Sequence, residues 1–242
     1  MDSIADALRN IHVIFGFLGL AAFWIPIFAK KGAVNHVRFG KFFVWSAYIV
    51  LAGAALALTL RVIGYLQQGI TISTAPAGYS LIIFLGYLTL VTFVSVRQGM
   101  QSLQHKKDQA ALRTPANKAM AYSSIAASVF IIGYALLLKP DTMILLLALS
   151  PIGFAGGFGV LNYMNKEWES PRAWFYEHLG SMLGAGIAFH TAFAVFGISR
   201  IWDIGLSGWV AIIPWVLPSV IGIPASVIWA RHYRIKFREI KV

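Results

Sequence analysis

Residues 42–60 read FFVWSAYIVLAGAALALTL, an apolar run that contains no Asp, Glu, Lys or Arg. A helix of this length rises by about 30 Å, which is the thickness of the hydrocarbon core of a bilayer. Similar apolar blocks recur along the chain and predict seven spans: 11–29, 42–60, 79–96, 119–138, 142–163, 173–199 and 208–230. We therefore expect an all-α bundle of seven transmembrane helices that forms a single transmembrane domain over residues 1–242.

The composition of the 242-residue chain agrees with this reading. Hydrophobic residues make up 58% of the chain and charged residues only 12%, where an ordinary soluble domain has about 25% charged residues. The mean hydropathy is +0.71, so a soluble globule is excluded. The chain has no cysteine, which excludes disulfides, thiolate metal ligands and iron–sulfur clusters.

The cations are distributed unevenly between the two sides of the predicted bundle. Sixteen of the 20 Lys and Arg residues fall in the connections after the first, third and fifth spans and in the C-terminal segment. The other side holds four: Arg9, Arg61, Lys139 and Arg200. The positive-inside rule then predicts an external N-terminus and a cytoplasmic C-terminus. Most of the cations behind the net charge of +11 thus lie on one side of the predicted bundle. We therefore expect a lipid bilayer, and not a nucleic acid, as the partner of the protein.

Four histidines lie in or beside the predicted spans: His12, His36, His178 and His190. Ionisable side chains at such depths are costly to bury and indicate a functional site. Gly16 follows His12 by four residues, and Gly40 follows His36 by four residues. Each glycine therefore lies on the same helix face as its histidine and leaves room for a bulky ligand. The alternative for each is a structural role, in which a neutral imidazole bonds a carbonyl or hydroxyl group of a helix.

The depths of these histidines predict two pairs. His36 matches His178 on the inner side, and His12 matches His190 on the outer side. Two such pairs are how a helical bundle holds two b-type haems and carries electrons across a membrane. A single inner site at His36 and His178 is an equal alternative, because residues 12 apart on one helix point in different directions. These two histidines and Glu177, the one carboxylate inside a predicted span, alternatively bind a divalent metal ion.

The same residues resemble an uncharacterised family of bacterial multi-pass membrane proteins, known as a domain of unknown function. The shared pattern covers residues 12 to about 197 and consists of His12 with Gly16, Lys31 and Gly32 with His36 and Gly40, and His178 with Met182, Thr191, Ala192 and Phe193. His190 is not part of the pattern. The resemblance implies a membrane protein with functional histidines, and no particular activity.

Other classes of membrane protein lack their required residues. The seventh predicted span, 208–230, has no lysine for a retinal Schiff base, and the glycine-rich run at 153–159 lies inside an apolar span, so no flavin or nucleotide motif is present. The first hypothesis is therefore a bacterial inner-membrane protein that binds haem b or a metal ion and takes part in electron transfer with a quinone. The second is a non-catalytic transporter or an accessory subunit of a membrane complex, whose histidines are structural. No catalytic residue is predicted.

Overall fold

The computed structural model describes residues 2–197 and 213–240. Its elements in chain order are α1 (Asp2–Phe28), α2 (Val34–Gln67), α3 (Pro76–Gln104), a 3-10 turn (Ala110–Leu112), α4 (Pro115–Leu138), α5 (Met143–Leu149), α6 (Pro151–Asn165), α7 (Ala173–Ala192), a π-helical segment (Phe193–Gly197) and α8 (Ile213–Lys236). Seven stretches are long and apolar enough to cross a membrane, and the described residues contain no strand. The prediction of an all-α protein with seven spanning helices is confirmed.

The helices extend beyond several of the predicted spans. Helix α2 exceeds residues 42–60 at both ends, and α3 continues to Gln104 instead of ending at residue 96. Apolar runs define the part of a helix in hydrocarbon, whereas a helix continues into the headgroup region, where Lys and Arg keep their charged ends in water. The start of the seventh predicted span, 208–212, and Arg200 lie outside the described residues.

The chain forms two compact units. The first consists of Met1–Val94 and Ala110–Lys166, and the second of Ser95–Gln109 and Glu167–Val242. Helix α3 therefore contributes its residues up to Val94 to the first unit and those from Ser95 onward to the second. The expectation of a single domain over 1–242 stays a prediction.

Small residues bring the helices of the first unit together. Helices α1 and α2 form a hairpin in which a Cβ atom on Gly19 would lie 3.1 Å from Cβ of Ser46. In the same way, a Cβ atom on Gly157 of α6 would lie 2.6 Å from the carbonyl oxygen of Ala121 of α4 and would collide with Ile125. Contacts of this kind stabilise membrane helices, because lipid tails provide no hydrophobic force between helices.

The fifth span is broken between α5 and α6 at Ser150 and Pro151. Proline has no N–H group, so the Leu147 carbonyl loses its usual helical donor, and the Ser150 hydroxyl donates to it instead at 2.9 Å. The Tyr87 hydroxyl, from α3, lies 3.0 Å from the carbonyl oxygens of Leu149 and Ser150 and accepts a hydrogen bond from the Gly153 N–H at 2.8 Å. Side chains thus satisfy the polar groups that the break exposes, as hydrocarbon requires.

The second unit packs α7 against α8 and against the last turns of α3. Gly222 of α8 lies so close to Ile187 of α7 that a side chain on the glycine would collide with it. Beyond α8 the chain turns at Arg238, which has a φ of 60°. This turn directs the following residue, Glu239, back toward the start of α7.

Glu239 fastens the C-terminal segment to the residues before and at the start of α7. Its carboxylate accepts hydrogen bonds from the hydroxyl groups of Ser170 and Tyr176, each at 2.5 Å. The Arg172 guanidinium donates to the same carboxylate at 3.4 Å. One carboxylate therefore joins the chain end to three side chains of residues 170–176.

We expect Gly157→Ala to destabilise the protein because its new methyl group meets Ala121 and Ile125. The melting temperature of the protein in detergent should fall, by an amount that corresponds to about 1–3 kcal/mol. Gly159→Ala is the matched control in the same helix, because a Cβ atom there has no neighbour within 4 Å. The control should leave the melting temperature unchanged or slightly raised, since alanine is the better helix former. Equal effects of the two substitutions would contradict this packing.

The Glu239 contact should open in acid. Burial raises the pKa of the Glu239 carboxyl, but hydrogen bonds from Ser170, Tyr176 and Arg172 outweigh burial, and the pKa lies below its ordinary value. The resulting stabilisation is complete above the pKa of an unfolded glutamate, about 4.3, and is lost as the pH falls through the lower folded-state pKa. Hydrogen exchange at residues 237–240, corrected for its intrinsic pH dependence, should therefore accelerate over that range.

Glu239→Gln is the control for this pH dependence, because its side-chain amide does not titrate. Exchange at residues 237–240 of this variant should show no transition at acidic pH. A transition of the same size in the variant and in the wild type would mean that another group opens the segment.

Candidate functional site

Glu177 is a carboxylate that faces α3 from the first turns of α7. The Nε2 of Gln98 on α3 donates a hydrogen bond to Oε1 of Glu177 at 2.8 Å, and the Gln98 side chain is buried. Within residues 2–197 and 213–240, no ion pair involves Glu177. A neutral amide is thus the hydrogen-bond partner that this carboxylate has on α3.

The next residue, His178, bonds the next residue of α3. Its Nδ1 lies 2.9 Å from the carbonyl oxygen of Gly99. A carbonyl oxygen can only accept, so the hydrogen must be on Nδ1, and in the neutral ring the lone pair is on Nε2. A hydrogen bond from one ring nitrogen to a carbonyl is how proteins orient an imidazole whose other nitrogen binds a metal.

Gly99 permits the close approach of α3 and α7 at this point. A side chain at position 99 would collide with the methyl group of Met182 and come within 3.1 Å of Ser181 Cβ. On the adjacent turn of α3, the Ser95 hydroxyl donates to the Ser181 carbonyl at 2.9 Å. We call this set of contacts the α3–α7 seam: Ser95, Gln98 and Gly99 on α3 with Glu177, His178, Ser181 and Met182 on α7.

His36 lies at the other predicted inner position, in the first unit. Its Nδ1 donates to the Pro26 carbonyl at 3.1 Å, and the Lys31 ammonium donates to the carbonyls of Pro26 and Ile27 at 2.7 Å each. Burial lowers the pKa of Lys31. Gly32, which lies between Lys31 and His36 in the sequence, has a φ of +80°, a conformation that favours glycine. The Lys-Gly motif before His36 is thus a turn that caps the carbonyl end of α1.

His12 makes the corresponding contact at the opposite end of the same hairpin. Its Nδ1 donates to the Val50 carbonyl of α2 at 3.2 Å. The two bonds are reciprocal: His12 of α1 donates to Val50 of α2, and His36 of α2 donates to Pro26 of α1. The spacing along each helix from the histidine to the accepting carbonyl is the same. The two histidines are separated by about 21 Å of helix rise and therefore face different ends of the hairpin.

His190 bonds within its own helix. Its Nδ1 donates to the carbonyl of Gly186, four residues earlier in α7, at 2.7 Å. Thr191 makes the equivalent bond to Ile187 at 2.9 Å. The π-helical segment that starts at Phe193 follows immediately, and π segments often occur at functional sites.

The structure brings some of the predicted site residues together. Glu177 and His178 meet α3 side by side, whereas His12 and His36 lie at opposite ends of one hairpin. The predicted pairs of His36 with His178 and of His12 with His190 join residues of different units, and both stay predictions. The described residues contain no group of three or more His, Asp or Glu that could hold a metal ion.

The partners of Glu177 and His178 on α3 do not follow from hydropathy, which ends the third span at residue 96. Helical spacing does indicate them: Thr92, Ser95, Gln98, Gly99 and Ser102 are polar or small and recur every three or four residues. A stripe of this kind at the end of an apolar span indicates a buried polar contact with a neighbouring helix.

Comparison with protein-family models, with curated proteins and with solved structures finds no match for this chain. The fold and the site nevertheless define a class, which is an all-helical protein with seven helices long and apolar enough to span a membrane, in which four histidines bond backbone carbonyl groups. Any function must be argued from the chemistry of those side chains, since a fold does not determine an activity.

We expect Gln98→Leu to destabilise the second unit, because it removes the buried amide donor to the half-buried Glu177 carboxylate. An unsatisfied buried polar group costs about 1–3 kcal/mol, which thermal unfolding in detergent can measure. In the double variant Gln98→Leu/Glu177→Leu most of this loss should be recovered. Gln101→Leu is the matched control, because the Gln101 amide bonds the exposed Gln104. Additive effects of the two seam substitutions would contradict a direct contact.

Proposed function

We propose that the protein is a multi-pass protein of the bacterial cytoplasmic membrane that binds haem b through intramembrane histidines and serves membrane electron transfer. One observation carries the proposal: Nδ1 of each of the four histidines donates to a backbone carbonyl. In every case this leaves the lone pair of the neutral ring on Nε2, the atom that binds iron or another metal.

His178 is the favoured ligand. Its ring bonds a carbonyl of α3, and the neighbouring bonds of the α3–α7 seam, from Gln98 to Glu177 and from Ser95 to Ser181, hold the two helices together at that point. One or two histidines would be enough to hold a haem, whereas a tetrahedral divalent metal site takes three or four protein ligands. Separate histidines are therefore sufficient for haem b, and a divalent ion at His36 and His178 is the less favoured form of the proposal.

The predicted depths extend this proposal to two haems. The sequence predicts an inner haem at His36 and His178 and an outer haem at His12 and His190, and each haem, when bound, would supply one-electron transfer with a quinone. The 16 to 4 distribution of cations supports an external N-terminus and a cytoplasmic C-terminus.

The chain and the haem contribute different chemistry. Haem b, when bound, supplies one-electron transfer. The α3–α7 seam supplies an oriented imidazole, because Gly99 accepts from Nδ1 and lets Met182 pack against α3. The apolar side chains of the spans exclude water from the region around that imidazole.

A second function is favoured by specific contacts. His36 shares the Pro26 carbonyl with Lys31 as a helix cap, and His190 bonds a carbonyl of its own helix. The first bond satisfies a carbonyl at the end of α1, and the second gives the His190 imidazole a partner within its own helix, so each is a complete structural role. These contacts support a non-catalytic transporter or an accessory subunit of a membrane complex.

The difference spectrum of the purified protein tests the first function. The dithionite-reduced minus air-oxidised spectrum should show sharp b-type bands, and the haem-to-protein ratio should be one or two. We expect His178→Ala to lose the band of at least one haem, because it removes a nitrogen that would hold the haem. Added imidazole should restore that band, since it replaces the missing ligand. His232→Ala, beyond the hydrocarbon region, should leave the spectrum unchanged.

Metal analysis of the same sample separates the alternatives. A colourless protein with a bound metal ion that His178→Ala removes would support the metal form of the proposal. A wild-type protein with neither haem nor metal would contradict the cofactor function and favour the structural one, in which His178→Ala lowers only the melting temperature.

A further inference from the structure

Aromatic side chains form a cluster at one end of the second unit, where α7 begins and α8 ends. The cluster consists of Trp174, Phe175, Tyr176, Tyr233 and Phe237. Phe175 lies at its centre, with ring centroids 4.9 Å from Tyr233 and 5.6 Å from Phe237. Aromatic residues are enriched at this position along membrane helices, because their amphipathic rings favour the headgroup level.

Four cations lie over these rings. The Lys106 ammonium is 4.4 Å from the centroid of Trp174. The guanidinium carbon of Arg172 is 4.7 Å from the centroid of Phe237, and that of Arg234 is 4.7 Å from the centroid of Tyr176. Lys236 lies 5.7 Å from Tyr233. We call these four cations, which come from three segments of the second unit, the cationic collar. Cation–π contacts hold the charges beside the rings at the headgroup level.

Carboxylates neutralise the collar only in part. Glu239 is engaged by Ser170 and Tyr176 as well as by Arg172, and the Arg172 side chain remains 47% exposed. Glu169 lies 3.9 Å from Arg234, but the Glu169 side chain is 86% exposed, so this ion pair contributes little. The described residues of the second unit carry eight Lys or Arg side chains and four carboxylates outside the spans. N–H donors and positive charge therefore remain accessible at the collar.

We propose that the cationic collar binds the phosphodiester headgroup of an anionic phospholipid. Guanidinium and ammonium groups are the usual ligands of phosphate oxygens in proteins. The apolar surface of α8 next to the collar is exposed, including Val227 and Ile228, and is available to an acyl chain. A soluble phosphate or a nucleic acid would have no use for that surface, and this favours a lipid.

Native mass spectrometry of the full chain in detergent tests the lipid site. Phosphatidylglycerol should be retained at a saturable site with at least about tenfold higher affinity than phosphatidylcholine, and salt should weaken this preference. Lys106→Gln/Lys236→Gln should reduce the affinity for phosphatidylglycerol by about tenfold, since each cation near an anionic lipid contributes to binding. Binding of the two lipids with equal affinity by the wild type would overturn the proposal.

Arg61→Gln/Lys139→Gln is the matched control. It removes two exposed cations from the first unit, and Arg61 also lies over a ring, 5.5 Å from the centroid of Tyr65. The control should keep the wild-type affinity for phosphatidylglycerol, and an equal loss in both double variants would overturn a specific site. Glycerol phosphate, added as a soluble competitor, should not displace the lipid; displacement would indicate a site for soluble anions instead. Arg234→Lys, which keeps the charge, should bind like the wild type.

Discussion

The structure depends on the need to pair every backbone carbonyl and N–H group in a region without water. Regular helix does this for most of the seven spans, and side chains do it where the helix ends or breaks. Lys31 and His36 bond the last carbonyls of α1, and Ser150 and Tyr87 bond those at the break between α5 and α6. At the α3–α7 seam a side chain also bonds a carbonyl inside a regular helix: His178 and Ser102 both donate to Gly99.

The same bond has a chemical consequence for a histidine. A carbonyl that accepts from Nδ1 selects one tautomer of the neutral ring, and the hydrogen bond also fixes the plane of the ring. The structural role and the ligand role of His178 are therefore compatible, since the bond that joins α7 to Gly99 of α3 also orients Nε2. His36 and His190 bond carbonyls at a helix end and within a helix, where the structural role is already complete. His12 bonds the Val50 carbonyl of α2 much as His178 bonds Gly99, and the further bonds of the α3–α7 seam beside His178 are why His178 carries the proposed function.

Hydropathy was sufficient to predict the number and type of the spans, because runs such as 42–60 have no other stable environment. The close packing at Gly153 and Gly157 of α6 also follows from their four-residue spacing, which places both on one helix face. The seam does not follow from hydropathy, since Gln98 and Gly99 come after Arg97, where the apolar run has ended. Which helix faces Glu177 depends on tertiary packing, and a single sequence gives no direct information about it. The cationic collar likewise depends on the packing of the end of α8 against the start of α7, which composition does not reveal.

The tautomer of His178 is the property on which the proposed function depends most directly. Nitrogen-15 NMR of the histidine-labelled protein in lipid bilayers measures it, with His178→Gln to assign the signals. We expect the Nδ1 of His178 to be protonated and its Nε2 to be unprotonated at neutral pH. The Nε2 signal should be lost or shifted when haem is bound. A ring protonated at Nε2 and not at Nδ1 would contradict both the bond to Gly99 and the ligand role.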